Sequence, residues 1–247
     1  MMPGIEGIRT FLRRLGFEEK AVDELVKQIE YFEMEAPERD DIVRDYLRDE
    51  CIERLVKEIV LEILRLGKKE VRILDVAAGS GFFTERVKRK LEEKGIRVEV
   101  HGLDITPSML KRLRDKDITP IWGVAERIGD SIRIANDHYG LDVPEKFDVV
   151  FSTLAFHHFL NPEEVLRSIR EVLEDGGKAV IIDVLKHGHG EFKDTLKDTH
   201  LGFSIEEMRG MGLRVFRNAE VRPLGLHCEV DGILIGLYKA VFSRAKT

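Results

Sequence analysis

The sequence predicts an α/β protein: a doubly wound sheet of seven strands, mostly parallel with an antiparallel C-terminal hairpin, preceded by a cap of helices. Three observations carry that expectation. Residues 5–66 place apolar side chains at helical spacing with no strand signal; from Val71 short runs of Val, Ile and Leu alternate with amphipathic helices; and two extended runs close the chain with only a few residues between them. Strand–helix alternation builds a parallel sheet. Two long strands joined by so short a link must be antiparallel, because a parallel crossover takes about a dozen residues or more.

The helices of the cap come first. Ile5, Ile8, Leu12 and Leu15, then Val22, Leu25, Ile29 and Phe32, then Ile42, Tyr46, Cys51, Ile52, Leu55, Ile59 and Ile63 mark three helices, the last longest and packed on the rest of the chain. Gly16 and Gly67 stand where helices would end, and Pro37 separates the second from the third. Residues 1–66 therefore form a cap or lid and residues 67–247 the sheet domain. Strands are expected near 71–76, 97–103, 117–122, 147–153 and 178–184, with helices near 82–94, 106–114 and 162–173. The last of these opens with Asn161 as cap, Pro162 at its first position and Glu163 and Glu164 in its first turn, and closes at Gly176-Gly177. The stretch 126–145 receives no element. After the fifth strand come a polar, glycine- and histidine-rich segment (186–200), a short helix near 204–211, and two strands, 213–223 and 229–242, joined through Leu224–Cys228.

With 43% hydrophobic residues over 247 positions, the chain can bury a continuous core and needs neither disulfides nor a structural metal. Its two cysteines, Cys51 and Cys228, form no zinc spacing and are read as free thiols in a reducing cytoplasm. No apolar run reaches the ~18 residues of a membrane span, and the start lacks a signal peptide, so the expected location is cytoplasmic. A net charge of −6 argues against nucleic acid as partner. Asparagine occurs only as Asn136, Asn161 and Asn218 and glutamine only as Gln28, amid abundant Glu, Lys and Arg, a pattern suited to a thermophile.

Chemistry concentrates where the first strand runs through Asp75, Ala77, Gly79 and Gly81 into a helix. A glycine turn there lets a ligand approach the backbone and aims the helix N-terminus at it. Asp104 closes the second strand, about where an acid holds a ribose diol in a Rossmann-like sheet. The dinucleotide pattern GxGxxG fails, since Thr84 stands at its third glycine, and Asp75 at the mouth of the turn would repel a pyrophosphate and welcome a cation.

These residues, with Gly123-Val124-Ala125-Glu126 after strand three, Phe147-Asp148-Val149-Val150 leading into His157-His158, and Leu173-Glu174-Asp175-Gly176-Gly177, resemble a class I S-adenosylmethionine-dependent methyltransferase over roughly residues 70–242. Within that superfamily the chain is most similar to the small-molecule branch containing the ubiquinone and menaquinone C-methyltransferases. The resemblance implies S-adenosyl-L-methionine as cofactor and methyl transfer to a small-molecule acceptor. It places Gly79 and Gly81 around the amino-acid moiety with Asp75 near its ammonium, Asp104 on the ribose hydroxyls, Ile105 against the adenine, and Ala125 and Glu126 at the adenine edge. Ala77 replaces a glycine commoner in the family. His158, on the resemblance alone, is the candidate to touch substrate or act as base in preference to His157. Competing readings are a nicotinamide-dependent oxidoreductase and a non-catalytic module that binds S-adenosylmethionine or S-adenosylhomocysteine. RNA or protein methylation stays open, although no asparagine-proline-proline-aromatic quartet comes after strand four.

His187, His189, His200 and His227 all lie beyond strand five and could meet above the site, but without a supporting carboxylate they are read as solvated loop residues, and no metal is expected. Tyr31, Phe32 and Tyr46 are candidates for a helical lid over the cofactor.

Overall fold

Seven strands form one sheet: β1 (Glu70–Val76), β2 (Arg97–Asp104), β3 (Thr119–Trp122), β4 (Phe147–Thr153), β5 (Leu173–Val184), β6 (Asn218–Val230) and β7 (Ile233–Ser243). The computed structural model describes residues 4–230 and 232–244, the side chains of Leu226, His227 and Val230 excepted, and among these the strand order is β3-β2-β1-β4-β5-β7-β6. β7 runs antiparallel to both neighbours and every other pairing is parallel. Strand order reverses between β1 and β4, and open α/β sheets bind ligands beyond the strand ends at such a point.

Strand β4 is buried along its whole length, as a central parallel strand covered on both faces must be. On one face α7 (Ile128–Tyr139), α8 (Pro162–Val172) and α10 (Ile205–Val215) pack Ile132, Leu166, Ile169 and Met208 against Leu74, Val150 and Ile181. On the other, α4 (Asp49–Leu64) and α5 (Phe82–Glu92) pack Leu55, Ile59, Val87 and Leu91 against Ile73, Val149 and Val180. A third cluster seats α1 (Ile5–Arg14) and α2 (Glu19–Glu35) on α6 (Pro107–Asp115), Val100 and Trp122.

Several expectations need correction. Among the described residues the cap has four α-helices, because the chain breaks at Leu47-Arg48 between α3 (Arg39–Tyr46) and α4, and α2 is the longest. Leu47 adopts an extended backbone and buries its side chain, so the apolar spacing runs on through the break and hides it. Residues 128–139 of the unassigned stretch form α7. Helix α8 ends at Val172, four residues before Gly176, which lies within β5. Helix α10 runs to Val215, started by a capping box between Ser204 and Glu207, so the strand expected from Leu213 begins at Asn218. The residues expected to join the hairpin belong to β6: Gly225, at φ +65°, sits in a bulge between Pro223 and His227. The strands part beside Gly232, next to Asp231, which lies outside the described residues.

The cysteines are not free. Cys51 of α4 and Cys228 of β6 form a disulfide, with Cα atoms 6.1 Å apart across 177 residues of sequence. Their distance in sequence said nothing of the fold, which lays the N-terminal half of α4 against the hairpin. A buried ion network joins α4 to both strands of the hairpin. Lys239 Nζ lies 2.8 Å from Glu58 Oε2 and 2.6 Å from Glu62 Oε1, and Arg222 reaches Glu58 at 2.7 Å. Burial opposes charge on both glutamates, but the Lys239 ammonium outweighs it and holds each below its ordinary value.

Candidate functional site

A cavity of about 230 Å³ opens over the C-terminal ends of β1, β2 and β4 and is roofed by α2 and α3. Its floor begins at the turn after β1. Ala77, Gly79 and Gly81 all have positive φ, +57°, +55° and +77°. Ala77 accepts this strained conformation without being glycine, as does Leu154 (φ +53°) beyond β4, and both line the cavity. The two glycines differ. A Cβ on Gly79 would meet nothing within 4 Å, and Gly79 lines the cavity. A Cβ on Gly81 would come within 2.7 Å of Leu113 Cδ2 and 2.9 Å of Ile118 Cδ1; Gly81 caps α5 from behind the turn and is not in the lining. Asp75 also lies outside the lining. It is 2% exposed and accepts a 2.5 Å hydrogen bond from Thr84 Oγ1. Burial, with Asp104 adding to it, pushes its carboxyl up to about 8. A cation arriving above the turn would favour its ionised form.

Asp104 ends β2 at the cavity wall. Its Oδ2 accepts from Gly79 N and its Oδ1 from Thr106 N, each at 2.8 Å, which locks the carboxylate and leaves lone pairs on both oxygens. Burial raises its pKa, against the pull of these backbone donors. Ile105 lines the wall beside it, its carbonyl held by Trp122 Nε1 at 3.0 Å. Ala125 and Glu126 open a 3₁₀ turn after β3 and complete this end. Glu126 is buried, burial raises its carboxyl, and its Oε1 has no hydrogen-bond partner. A locked diol acceptor, an apolar wall and an unfilled acceptor oxygen suit a ribose, a purine ring and an exocyclic amine in turn. An adenosine-bearing cofactor fits the residues present.

The other end is polar. The 3₁₀ turn Phe156–His158 comes just after β4, and Asp183 near the end of β5 organises it. Asp183 Oδ2 accepts from Phe156 N at 2.5 Å and His157 N at 3.2 Å, while Oδ1 accepts from His157 Nδ1 at 2.6 Å. With Nδ1 donating, His157 Nε2 faces Asp198 Oδ1 at 3.5 Å. Burial works against charge on His157, but Asp183 and then Asp198 overcome it and hold the imidazole above its ordinary value. Burial pushes Asp198 up to about 6. His158 lines the cavity with its ring edge-on to Phe32, 5.3 Å between centroids, and its Nδ1 donates to Lys197 O at 3.3 Å. Burial first and His157 second hold it well below the ordinary histidine value.

Of the later histidines, His187 lines the cavity. Its Nδ1 accepts from His189 N at 3.3 Å, and its buried Nε2 has no partner. His189 is half-exposed beside Glu191, and His200 Nε2 donates to Phe159 O at 3.0 Å; neither is in the lining. The His227 side chain lies outside the described residues. Asp183 and Asp198 went unmarked in the sequence. Asp183 carries the signal that identified Asp104, an acid at a strand end, whereas Asp198 sits in a non-periodic segment with no signal at all.

Tyr31, Phe32 and Tyr46 all line the cap side, together with Arg39, whose guanidinium pairs with Glu35 and lies 5.3 Å from the Phe32 ring centroid. Cys228 reaches the lining too, but as half of a disulfide it offers no nucleophile.

Residues 74–179 match the family model described as a methyltransferase domain. A ubiquinone/menaquinone biosynthesis C-methyltransferase, UbiE, of Shewanella woodyi is 25% identical over 173 residues, covering 68% of this chain and 62% of that protein. The chain thus spans less than two thirds of the length of the curated relatives it matches. Among solved structures, a putative sarcosine dimethylglycine methyltransferase from Galdieria sulphuraria superposes with a TM-score of 0.58 at 17% identity, covering 79% of this chain and 87% of that one. The CurJ carbon methyltransferase superposes with a TM-score of 0.65 at 12% identity, covering 98% and 71%. At such identities these neighbours share the fold. The matched domain runs from Leu74 in β1 to Ala179 in β5 and takes in the glycine turn and Asp104, and over this region the chain is similar to methyltransferases.

Proposed function

We propose that the chain transfers a methyl group from S-adenosylmethionine to a small-molecule acceptor. The observation that carries this is the two-ended cavity: a cradle suited to adenosine at Gly79, Asp104, Ile105, Ala125 and Glu126, and a polar cluster at His157, His158 and Asp198, under one roof of helices. In this reading Asp104 accepts from the ribose hydroxyls, Ile105 lies on the adenine face, and Glu126 Oε1 beside Ala125 accepts from the adenine amine. Ala77 and Gly79 make room for the amino-acid portion, Gly81 shapes the turn from behind, and Asp75 supplies negative charge beneath the ammonium. His158 faces the acceptor. A sulfonium methyl is already activated, so the protein's task is to align nucleophile, carbon and sulfur and to exclude water.

The segment 1–66 acts as the lid, with α4 as its fixed base and Tyr31, Phe32 and Tyr46 as its inner face. A roof of helices over a cavity favours a small acceptor over a polymer. Among the described residues no helix is long and apolar enough to cross a membrane. We place the protein in the cytoplasm of a heat-adapted organism, where intracellular disulfides and ion networks are both at home.

Parallel calorimetric titrations with S-adenosylmethionine, S-adenosylhomocysteine and NAD test the cofactor. Micromolar binding of the first two without NAD is expected; binding of NAD alone would overturn the reading. Release of S-adenosylhomocysteine during an acceptor screen then separates an enzyme from a module that only binds.

A further inference from the structure

We propose that His157, His158 and Asp198 hold a divalent transition-metal ion at the acceptor end of the cavity. One nitrogen of each imidazole and one Asp198 oxygen lie within 4.8 Å of one another. Asp198 Oδ1 stands 3.5 Å from His157 Nε2 and 3.9 Å from His158 Nδ1. With bonds of ~2.0–2.1 Å, adjacent ligands of a tetrahedral ion are about 3.4 Å apart, so the ion would draw the two Asp198 contacts in by about 0.1 and 0.5 Å and no pair by more than about 1.4 Å.

Two independent features point the same way. Asp198 is 6% exposed and its Oδ1 receives no hydrogen bond. A buried carboxylate oxygen without a donor is costly, and a cation satisfies it directly. His157, meanwhile, is oriented as metal-binding histidines are: its Nδ1 donates to Asp183 Oδ1 at 2.6 Å, so its Nε2 faces Asp198 and would present a lone pair there once an ion displaces its proton. Coordination by His158 would replace its long contact with Lys197 O.

Two imidazoles and one carboxylate select ions such as Zn²⁺, Co²⁺ or Fe²⁺ over Mg²⁺ and Ca²⁺, which prefer oxygen ligands throughout. Three protein ligands leave a position open to the cavity, the pattern of a catalytic site. His187 is not a fourth ligand. Its Nδ1 accepts from a backbone N–H, so in the neutral ring its Nε2 carries the proton and offers no lone pair to a metal.

The metal's use, unlike its binding, rests on the methyl-transfer reading. An acceptor hydroxyl or thiol at the open position would lose its proton to water. Its oxygen or sulfur would then bond to the methyl carbon while the sulfonium S–C bond breaks with its electron pair left on sulfur, giving methylated acceptor, S-adenosylhomocysteine and one released proton.

The test uses tag-free full-length protein, stripped with chelator and reloaded with Co²⁺ or Zn²⁺ alone. One equivalent retained per chain, with the visible absorption of tetra- or five-coordinate Co²⁺, is the expected result. Asp198→Asn and His158→Ala should each weaken metal binding by at least about 100-fold, and the positioning variant Asp183→Asn by ~10–100-fold. S-adenosylhomocysteine titration of the same samples reports folding and the cofactor reading separately. Wild-type protein that takes up no stoichiometric metal overturns the proposal, whatever the variants do. So does Co²⁺ affinity unchanged in both Asp198→Asn and His158→Ala. Retained S-adenosylhomocysteine binding in either case would leave the cofactor reading standing.

Discussion

Gly79 and Gly81 stand two positions apart in one turn and answer to different constraints, so the same substitution should read out differently at each. Gly81→Ala forces a methyl onto Leu113 and Ile118, both fully packed, at a positive φ. It should lower stability by about 2–4 kcal/mol in denaturant unfolding. Gly79→Ala meets open cavity, so it should cost ~1 kcal/mol of backbone strain yet lose much more affinity for S-adenosylhomocysteine than stability. Asp104→Ala should weaken S-adenosylhomocysteine about 10-fold or more by calorimetry, through loss of charge-assisted hydrogen bonds. Unchanged affinity would remove Asp104 from the ribose. The residues at this end were legible because strand ends and glycine turns leave local marks in sequence. Asp198 was not, since its meeting with His157 depends on a non-periodic segment folding back across β4. At the polar end His157 and His158 stood out in the sequence and Asp183 carried a strand-end signal, but their meeting with Asp198 is a product of tertiary structure.

Between elements, a buried ion group joins α4 to the hairpin through Lys239, Glu58 and Glu62. Removing Lys239 leaves Glu58 and Glu62 only the more exposed cations Arg54, Arg222, Arg65 and Lys178, so Lys239→Met should destabilise by up to ~3–5 kcal/mol at neutral pH. Both glutamates sit below their ordinary values in the folded state, so their stabilisation is fully present above the unfolded carboxylate value near 4.5 and fades as pH falls through and below it. The penalty for Lys239→Met should therefore shrink between pH 7 and pH 4 in thermal melts; a constant penalty would mean that Lys239 acts by packing. Strands β1 to β5 were legible in the sequence to within a few residues, except where β5 starts early through Gly176-Gly177. Errors arose where one signal masked another. Pro223 and Gly225 are breakers that the hairpin absorbs as a bulge, and they drew attention from the Asp231-Gly232 pair, a strong two-residue turn signal. Likewise Leu213 and Val215 suit a strand, but the capping box at Ser204 and Glu207 commits them to the helix.

For the molecule as a whole, the disulfide ties the helical segment that begins the chain to the hairpin that ends it. Replacing both Cys51 and Cys228 with serine should lower stability by about 2–5 kcal/mol, given the long loop it closes. That corresponds to a fall in Tm of roughly 4–20 °C. Reductant should reproduce the shift in the wild type and have no effect on the double variant. The expectation of free thiols failed because its grounds, a core that needs no staple, a spacing that fits no zinc site and an expected reducing cytoplasm, say nothing of which residues the fold brings together. The covalent loop has a further property. It runs from Cys51 to Cys228 and contains β1 through β5 and most of β6, whereas β7, the strand inserted between β5 and β6, lies outside it. A protease that cuts anywhere between those cysteines opens a ring without releasing a fragment: the nicked protein would run at full mass until reduced, and would keep both halves at high effective concentration for reassembly around β7.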